Sequence, residues 1–73
     1  MMIDIATFPS ATVITRPGDD TGPAAVVWQP GGRGYWTTLY PTRRDYVLHC
    51  NGESVEHVFY SAALLHAIEL MGG

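Results

Sequence analysis

Short segments in which apolar and polar residues alternate, or in which β-branched apolar residues follow one another, recur along the chain between turn-forming residues. A side-chain period of two is typical of a β-strand with one buried face, and segments of about four to eight residues have the length of strands. The pattern therefore predicts a four- to five-stranded antiparallel meander. The segments are residues 2–8, 11–15, 24–28, 35–40, 46–50 and 54–60.

Three turn-forming stretches separate these segments. Residues 16–23 (RPGDDTGP) combine prolines, glycines and aspartates, which predicts an exposed loop. Residues 29–34 (QPGGRG) hold glycines that tolerate positive φ, with Arg33 at the tip. Asn51 and Gly52 are the strongest turn signal, because both tolerate the left-handed conformation of a two-residue type I′ turn. We therefore expect the segments on either side of Asn51 and Gly52 to form a hairpin.

Only the C-terminal segment has the pattern of a helix. Ser61 can cap the N-terminus of residues 62–71, and Gly72 can end the helix in the left-handed conformation. His66 falls on the polar side of the helical wheel and is expected to be solvated. The fold class predicted is α+β, with the meander sheet carrying one C-terminal helix packed on one face, in a single small domain over residues 1–73. The helix residues expected to face the sheet are Leu64, Ala67, Ile68 and Met71.

Composition and charge exclude several classes of function. The single cysteine, Cys50, excludes an internal disulfide and the common zinc-binding spacings, and it fits a reducing compartment. The start MMIDIATFPS has no basic leader before an apolar run, and no stretch approaches the roughly 18 apolar residues of a membrane span. We therefore expect a cytoplasmic protein that does not associate with membranes. The formal net charge of −3 disfavours direct binding of nucleic acid and favours a partner with a basic surface.

Residues 49–57 (HCNGESVEH) are rich in potential metal ligands and catalytic groups. In the expected hairpin, Cys50 and His57 share the core face, several residues apart, while His49 and Glu56 lie on the outer face. Zinc needs ligands at about 2.0 to 2.3 Å, and a thiol nucleophile needs its base within hydrogen-bond reach. Because side chains alternate between the two faces along a strand, these groups do not come close enough for a zinc site or for a thiol with its base. The sequence therefore predicts no catalytic residues, no metal and no cofactor, so we expect no enzymatic activity.

Aromatic residues are concentrated around the glycine-rich turn at residues 29–34. Trp, Tyr and Arg are enriched at binding hot spots, although the same rings could simply build the core of a small domain. Tyr35 and Trp36 are adjacent, so they must point to opposite faces of a sheet. At least one large ring is therefore expected on the face away from the helix, where a protein partner or a second copy would cover it. The rings and cation concerned are Trp28, Arg33, Tyr35, Trp36 and Tyr40.

An acidic surface is the second candidate for partner binding. Asp19 and Asp20 lie in the long loop, and Asp45, Glu53 and Glu56 are nearby in sequence on the expected last hairpin. A solvated loop would have the same composition. An anionic patch that competes for a basic groove by imitating the charge of nucleic acid is the functional alternative.

The C-terminal unit NGESVEHVFYSAALLHAIELMGG, a strand that follows an Asn-Gly turn and runs into a closing helix, resembles the layout of some small phage anti-CRISPR proteins. The resemblance covers the last third of the chain. It implies a viral inhibitor acting in the host cytoplasm, which binds a bacterial nucleic-acid-targeting complex without cofactor or turnover.

Two other classes of function fit the same sequence. One is an accessory or structural subunit, including a homodimer whose interface is the aromatic face. The other is a DNA-binding domain that inserts a three-stranded sheet into the major groove, although the segments 46–50 and 54–60 hold no basic residue other than histidine.

Overall fold

A computed structural model describes residues 3–72. Its five strands form one open sheet in chain order, and every neighbouring pair is antiparallel. This confirms the predicted α+β fold with an antiparallel meander and a C-terminal helix. The first predicted strand began at Met2, which lies outside the described residues. The elements are β1 (Asp4–Thr7), β2 (Ala11–Thr15), β3 (Ala24–Trp28), β4 (Tyr35–Tyr40), α1 (Arg43–Leu48), β5 (Glu53–His57) and α2 (Tyr60–Leu70).

The short helix α1 occupies most of the segment 46–50, so the prediction of a strand there is wrong. Thr42 caps the helix, since its hydroxyl oxygen accepts a hydrogen bond from the backbone N–H of Asp45 at 3.1 Å. This T-x-x-D spacing is a capping-box type of signal, and it outweighs the β-branched and aromatic residues that follow. His49 ends α1 in the left-handed conformation with φ 55°.

The Asn51 turn is also used differently from the prediction. Asn51 does adopt a left-handed conformation, with φ 59°, but it connects α1 to β5 and closes no hairpin. The partner of β5 is β4, in a register that places Glu53 opposite Leu39 and His57 opposite Tyr35. His57 nevertheless lies on the sheet face that carries α2, as the alternation predicted.

The helix α2 lies across β3, β4 and β5 and closes the core. Ala63, Ala67 and Met71 are completely buried against Ile14 and Val27. Two alanines at this contact bring the helix close to the sheet. The close approach is fixed by a hydrogen bond, because Thr37, itself fully buried, donates its hydroxyl to the backbone carbonyl of the first of these alanines at 2.8 Å.

The ends and the orientation of α2 differ partly from the prediction. Phe59 occupies the N-cap position without a side-chain hydrogen bond, so Ser61 is not the cap. Gly72 has φ 80° and ends the helix as predicted. The placement of His66 on a solvated face is wrong, since the residue is half-buried and its Nδ1 lies 3.0 Å from Nε2 of His57.

Candidate partner-binding face

The sheet face opposite α2 carries both tryptophans of the chain. Trp28 on β3 and Trp36 on β4 are directly paired across the ladder, and Glu56 on β5 is the next residue in the same row. The two indole rings are stacked, with centroids 6.2 Å apart and planes inclined at 28°. We call this surface the aromatic face and define it by Trp28, Trp36 and Tyr40.

Hydrogen bonds hold Trp28 in one orientation. Its indole Nε1 donates to Oγ1 of Thr38 at 2.8 Å, and that hydroxyl lies 2.7 Å from Oγ of Ser54. Thr38 is almost completely buried, so the chain of three polar groups connects three strands beneath the ring. A ring held in this way loses little side-chain entropy when a partner covers it.

At the other end of the face, α1 adds two rings that were not among the predicted partner-binding residues. Tyr46 packs edge-on against Tyr40 with centroids 5.6 Å apart, and His49 packs against Tyr46 at 6.3 Å. The T-x-x-D signal at Thr42 was the only indication that α1 would bring these rings to the sheet.

Between the Trp28 end and the α1 end lies a cleft of about 450 Å³, with Val26 at its base. We call it the aromatic groove. The cleft has room for an amino-acid side chain, and four of its eight lining residues carry rings. The lining residues are Ser10, Ala11, Val26, Trp28, Gln29, Tyr40, Tyr46 and His49.

Tyr35 lies apart from this groove. It points to the α2 side of the sheet, where its ring meets that of Tyr60 edge-on at 5.5 Å. The hydroxyl of Tyr60 is in turn 3.0 Å from Oγ1 of Thr12. The prediction that Tyr35 and Trp36 occupy opposite faces is confirmed.

The predicted charged residues are distributed over two further places. Arg33 is exposed and lines a second cleft, of about 420 Å³, together with Glu56 and His57. Asp19 is half-buried, and its backbone carbonyl accepts a hydrogen bond from the Arg43 guanidinium at 3.0 Å. Asp20 is exposed on the same loop.

Asp45 has a local structural role. Its carboxylate accepts hydrogen bonds from the Asn51 amide at 2.9 Å and from the Thr42 hydroxyl at 2.8 Å. These two bonds hold the pKa of Asp45 below its usual value of 3.8. The carboxylate therefore stabilises the connection between α1 and β5.

Cys50 does not have the surroundings of a reactive thiol. Burial, the hydrogen bond to Asp45 and the negative charge of that carboxylate raise the pKa of Cys50. The thiol form predominates at neutral pH, which lowers nucleophilicity. Among residues 3–72, no three His, Cys, Asp or Glu side chains lie together as a metal site would require.

Comparisons with protein-family models, curated proteins and solved structures find no match to this chain. Within residues 3–72, no helix has the length and apolar character needed to cross a membrane.

Proposed function

We propose that this chain is a non-enzymatic protein-binding module and that its partner docks on the aromatic face. The observation that carries the proposal is the aromatic groove, which lies between a hydrogen-bonded tryptophan and two rings supplied by α1. Rigid Trp and Tyr side chains give a large contact area at low entropic cost. Trp28, Trp36, Tyr40 and Tyr46 are all half-buried, which leaves part of each ring accessible.

The partner proposed is a protein that inserts an arginine or lysine side chain into the groove. Cations interact favourably with the faces of Trp and Tyr rings, by about 0.5 to 2 kcal/mol depending on desolvation. The chain has a formal net charge of −3, and Glu56 lies in the same row as Trp36. Asp4, on the opposite edge of the sheet, is also on this face, because it pairs with Thr15. A protein with this net negative charge attracts a basic surface, which increases the association rate.

Direct binding of DNA by the sheet is less well supported. None of the five strands contains an arginine or lysine, and the four arginines lie in loops and in α1. Sheets that enter the major groove need basic side chains to contact phosphates. The groove favours a protein partner.

Within this class, we infer a more specific role as an inhibitor of a bacterial nucleic-acid-targeting complex, as the anti-CRISPR resemblance implies. Such complexes hold nucleic acid in positively charged channels. An acidic protein with an aromatic groove that accepts a basic side chain has properties suited to occupying such a channel. An accessory subunit that uses the same face is the alternative.

The binding proposal is tested by selecting ligands from a random peptide library presented to the immobilised protein. We expect the selected peptides to be enriched in arginine and lysine. Tyr46→Ala should weaken the best of them on the order of fivefold, which corresponds to about 1 kcal/mol of cation–π and contact energy. Val47→Ala is the matched control, because Val47 is the next residue of α1 and is 66% exposed.

Two results would contradict the binding proposal. One is a set of peptides without basic residues. The other is a set of basic peptides that bind wild type and Tyr46→Ala equally well.

The inhibitor role has its own test in a panel of guide-loaded CRISPR effectors. Wild-type protein should prevent at least one effector from shifting its target DNA in a native gel, and Tyr46→Ala should inhibit less at the same concentration. If wild type affects no effector while the peptide result holds, the inhibitor role is wrong and the binding module stands.

A further inference from the structure

Among residues 3–72, the strand β5 forms one edge of the sheet, with a row of backbone groups that no further strand pairs with. Its neighbours are β4 on one side and α2 above it. Glu53 and Val55 on this strand are exposed, the latter at 47%. The strand has neither proline nor lysine, two residues that commonly protect an edge from pairing with another chain.

Apolar surface continues beyond the end of β5. Val58 is 77% exposed and Phe59 is 69% exposed, so two consecutive large apolar side chains lie at the end of an open strand. An edge that combines free backbone groups with exposed apolar side chains is suited to pairing with a further strand.

We propose that β5 pairs antiparallel with β5 of a second copy of this chain, in a register centred on Val55. The dimer would have one continuous ten-stranded sheet. Its two α2 helices would lie on one side and its two aromatic faces on the other. This interface is separate from the aromatic face and does not depend on the proposed function.

Symmetry restricts the possible registers. In an antiparallel ladder, two directly opposed residues have their side chains on the same face of the sheet. Two copies of one strand related by a two-fold axis therefore pair so that one residue lies opposite its own copy, and the register is named after that central residue. In the register centred on Val55, Glu53 of each copy lies opposite His57 of the other, so this pair occurs twice. The two Val55 residues face one another between these pairs. Centring on Glu56 would instead oppose two carboxylates, which is unfavourable.

The cross-strand pairs in the Val55 register are chemically complementary. His57 uses Nε2 in its contact with His66, and within the described residues its Nδ1 makes no hydrogen bond. That nitrogen can donate to the carboxylate of Glu53 of the second copy. The same register brings Val58 opposite Gly52 of the second copy, which covers part of the exposed apolar surface.

The other edge strand, β1, lacks this complementarity. Its sequence is DIAT, so its only charged residue is Asp4, and no symmetric register gives that carboxylate a partner of opposite charge. The charge pattern therefore selects β5 over β1 as the dimer edge.

A charge exchange tests the interface in the full chain. Wild type should have twice the 8.0 kDa mass of one chain by light scattering and sedimentation. Glu53→Lys and His57→Glu should each weaken the dimer at least about tenfold, because the first removes the carboxylate that accepts from His57 and the second opposes two carboxylates, in each case twice. An equimolar mixture of the two variants should dimerise again, since one cross-strand pair in the mixed dimer joins the introduced ammonium and the introduced carboxylate, and the other is the native pair of Glu53 and His57.

Asp4→Lys is the matched control, because it makes the same change at an exposed carboxylate on the opposite edge. It should leave the dimer intact. Circular dichroism melts establish that all variants are folded, and His57→Glu keeps an acceptor for His66. A monomeric wild type, a dimer that both variants leave unchanged, or a mixture that stays monomeric would overturn the proposal.

Disulfide crosslinking tests the register independently of charge. In a Cys50→Ser background, Val55→Cys places two thiols opposite one another at a Cα separation of about 4.5 to 5.5 Å, within the range of a disulfide. Oxidised glutathione should then give a covalent dimer. Ile5→Cys in the same background is the control, because Ile5 is 51% exposed on β1, and it should crosslink far less. Equal crosslinking at both positions would contradict the assignment to β5.

Discussion

Truncation of Met71 tests how α2 is packed on the sheet. Met71 is the C-cap residue of α2 and is completely buried in the core cluster. Met71→Ala removes three heavy atoms from the side chain, and the alanines nearby, Ala63 and Ala67, are held close to the sheet and have no side-chain length with which to fill the space. Large-to-small changes at such sites cost about 2 to 5 kcal/mol, and we expect about 3.

That loss is a large fraction of the total stability. At about 0.05 to 0.15 kcal/mol per residue, a chain of 73 residues has a free energy of unfolding of roughly 4 to 11 kcal/mol. Met71→Ala should therefore lower the urea concentration at the midpoint of unfolding markedly, with the m value unchanged. Unfolding is followed by the helical circular dichroism signal at about 222 nm.

Other positions of α2 provide the comparison. Leu65 is 58% exposed, and Leu65→Ala should change the free energy of unfolding by no more than about 0.5 kcal/mol. Leu64 and Ile68 are half-buried against the core, so their alanine variants should fall between these two values. If Met71→Ala and Leu65→Ala unfold at the same urea concentration, the helix is packed in another orientation and the reasoning is refuted.

Three further predictions concern single hydrogen bonds and titrating groups. Thr37→Val should cost about 0.5 to 1.5 kcal/mol in urea unfolding, because the shape is kept and only the hydrogen bond to the carbonyl of Ala63 is lost; no change would mean that this bond contributes nothing. Because the folded-state pKa of Asp45 is lowered, its contribution to stability is present above pH 3.8 and is lost as the pH falls through the folded-state pKa. Asn51→Ala should raise that pKa in a carboxyl NMR titration, and an unmoved titration midpoint would argue against the amide as the main cause. Because burial and Asp45 raise the pKa of Cys50, the thiol should react slowly with iodoacetamide at neutral pH and faster in Asp45→Asn; equal rates would contradict the electrostatic explanation.

The meander could be predicted from the sequence because its strands are separated by strong turn signals. The segments 11–15, 24–28 and 35–40 match β2, β3 and β4 residue for residue. A strand that is buried on one or both faces has a characteristic order of apolar and polar residues, which can be recognised in the sequence. The helix face containing Ala67 and Met71 was predicted for the same reason, since the apolar residues recur at helical spacing.

The segment 46–50 could not be assigned from periodicity alone. Five residues of YVLHC fit a strand as well as a short helix, and the deciding information lies upstream, in the cap formed by Thr42 and Asp45. The aromatic groove depends on this helix, because α1 supplies Tyr46 and His49. The rings on the strands could therefore be predicted as a candidate surface, whereas those on α1 could not.

The contact between His57 and His66 was missed for a different reason. Each residue was assigned a face within its own element, and the helical wheel placed His66 away from the apolar stripe. The position of α2 near the β5 edge of the sheet brings the flank of the helix over β5, so a residue beside the stripe contacts the strand. That information lies in tertiary packing and not in local pattern.

The most direct test of the central claim uses the two tryptophans as reporters. Both indole N–H groups belong to the aromatic face, and the chain has no other tryptophan. A ¹H–¹⁵N spectrum recorded while an arginine-containing peptide selected by the protein is added should show shifts in the signals of Trp28 and Trp36. The amide signals of Ala63 and Ala67, on the opposite side of the sheet, should stay in place. Shifts confined to α2, with both indole signals unchanged, would contradict a partner on the aromatic face.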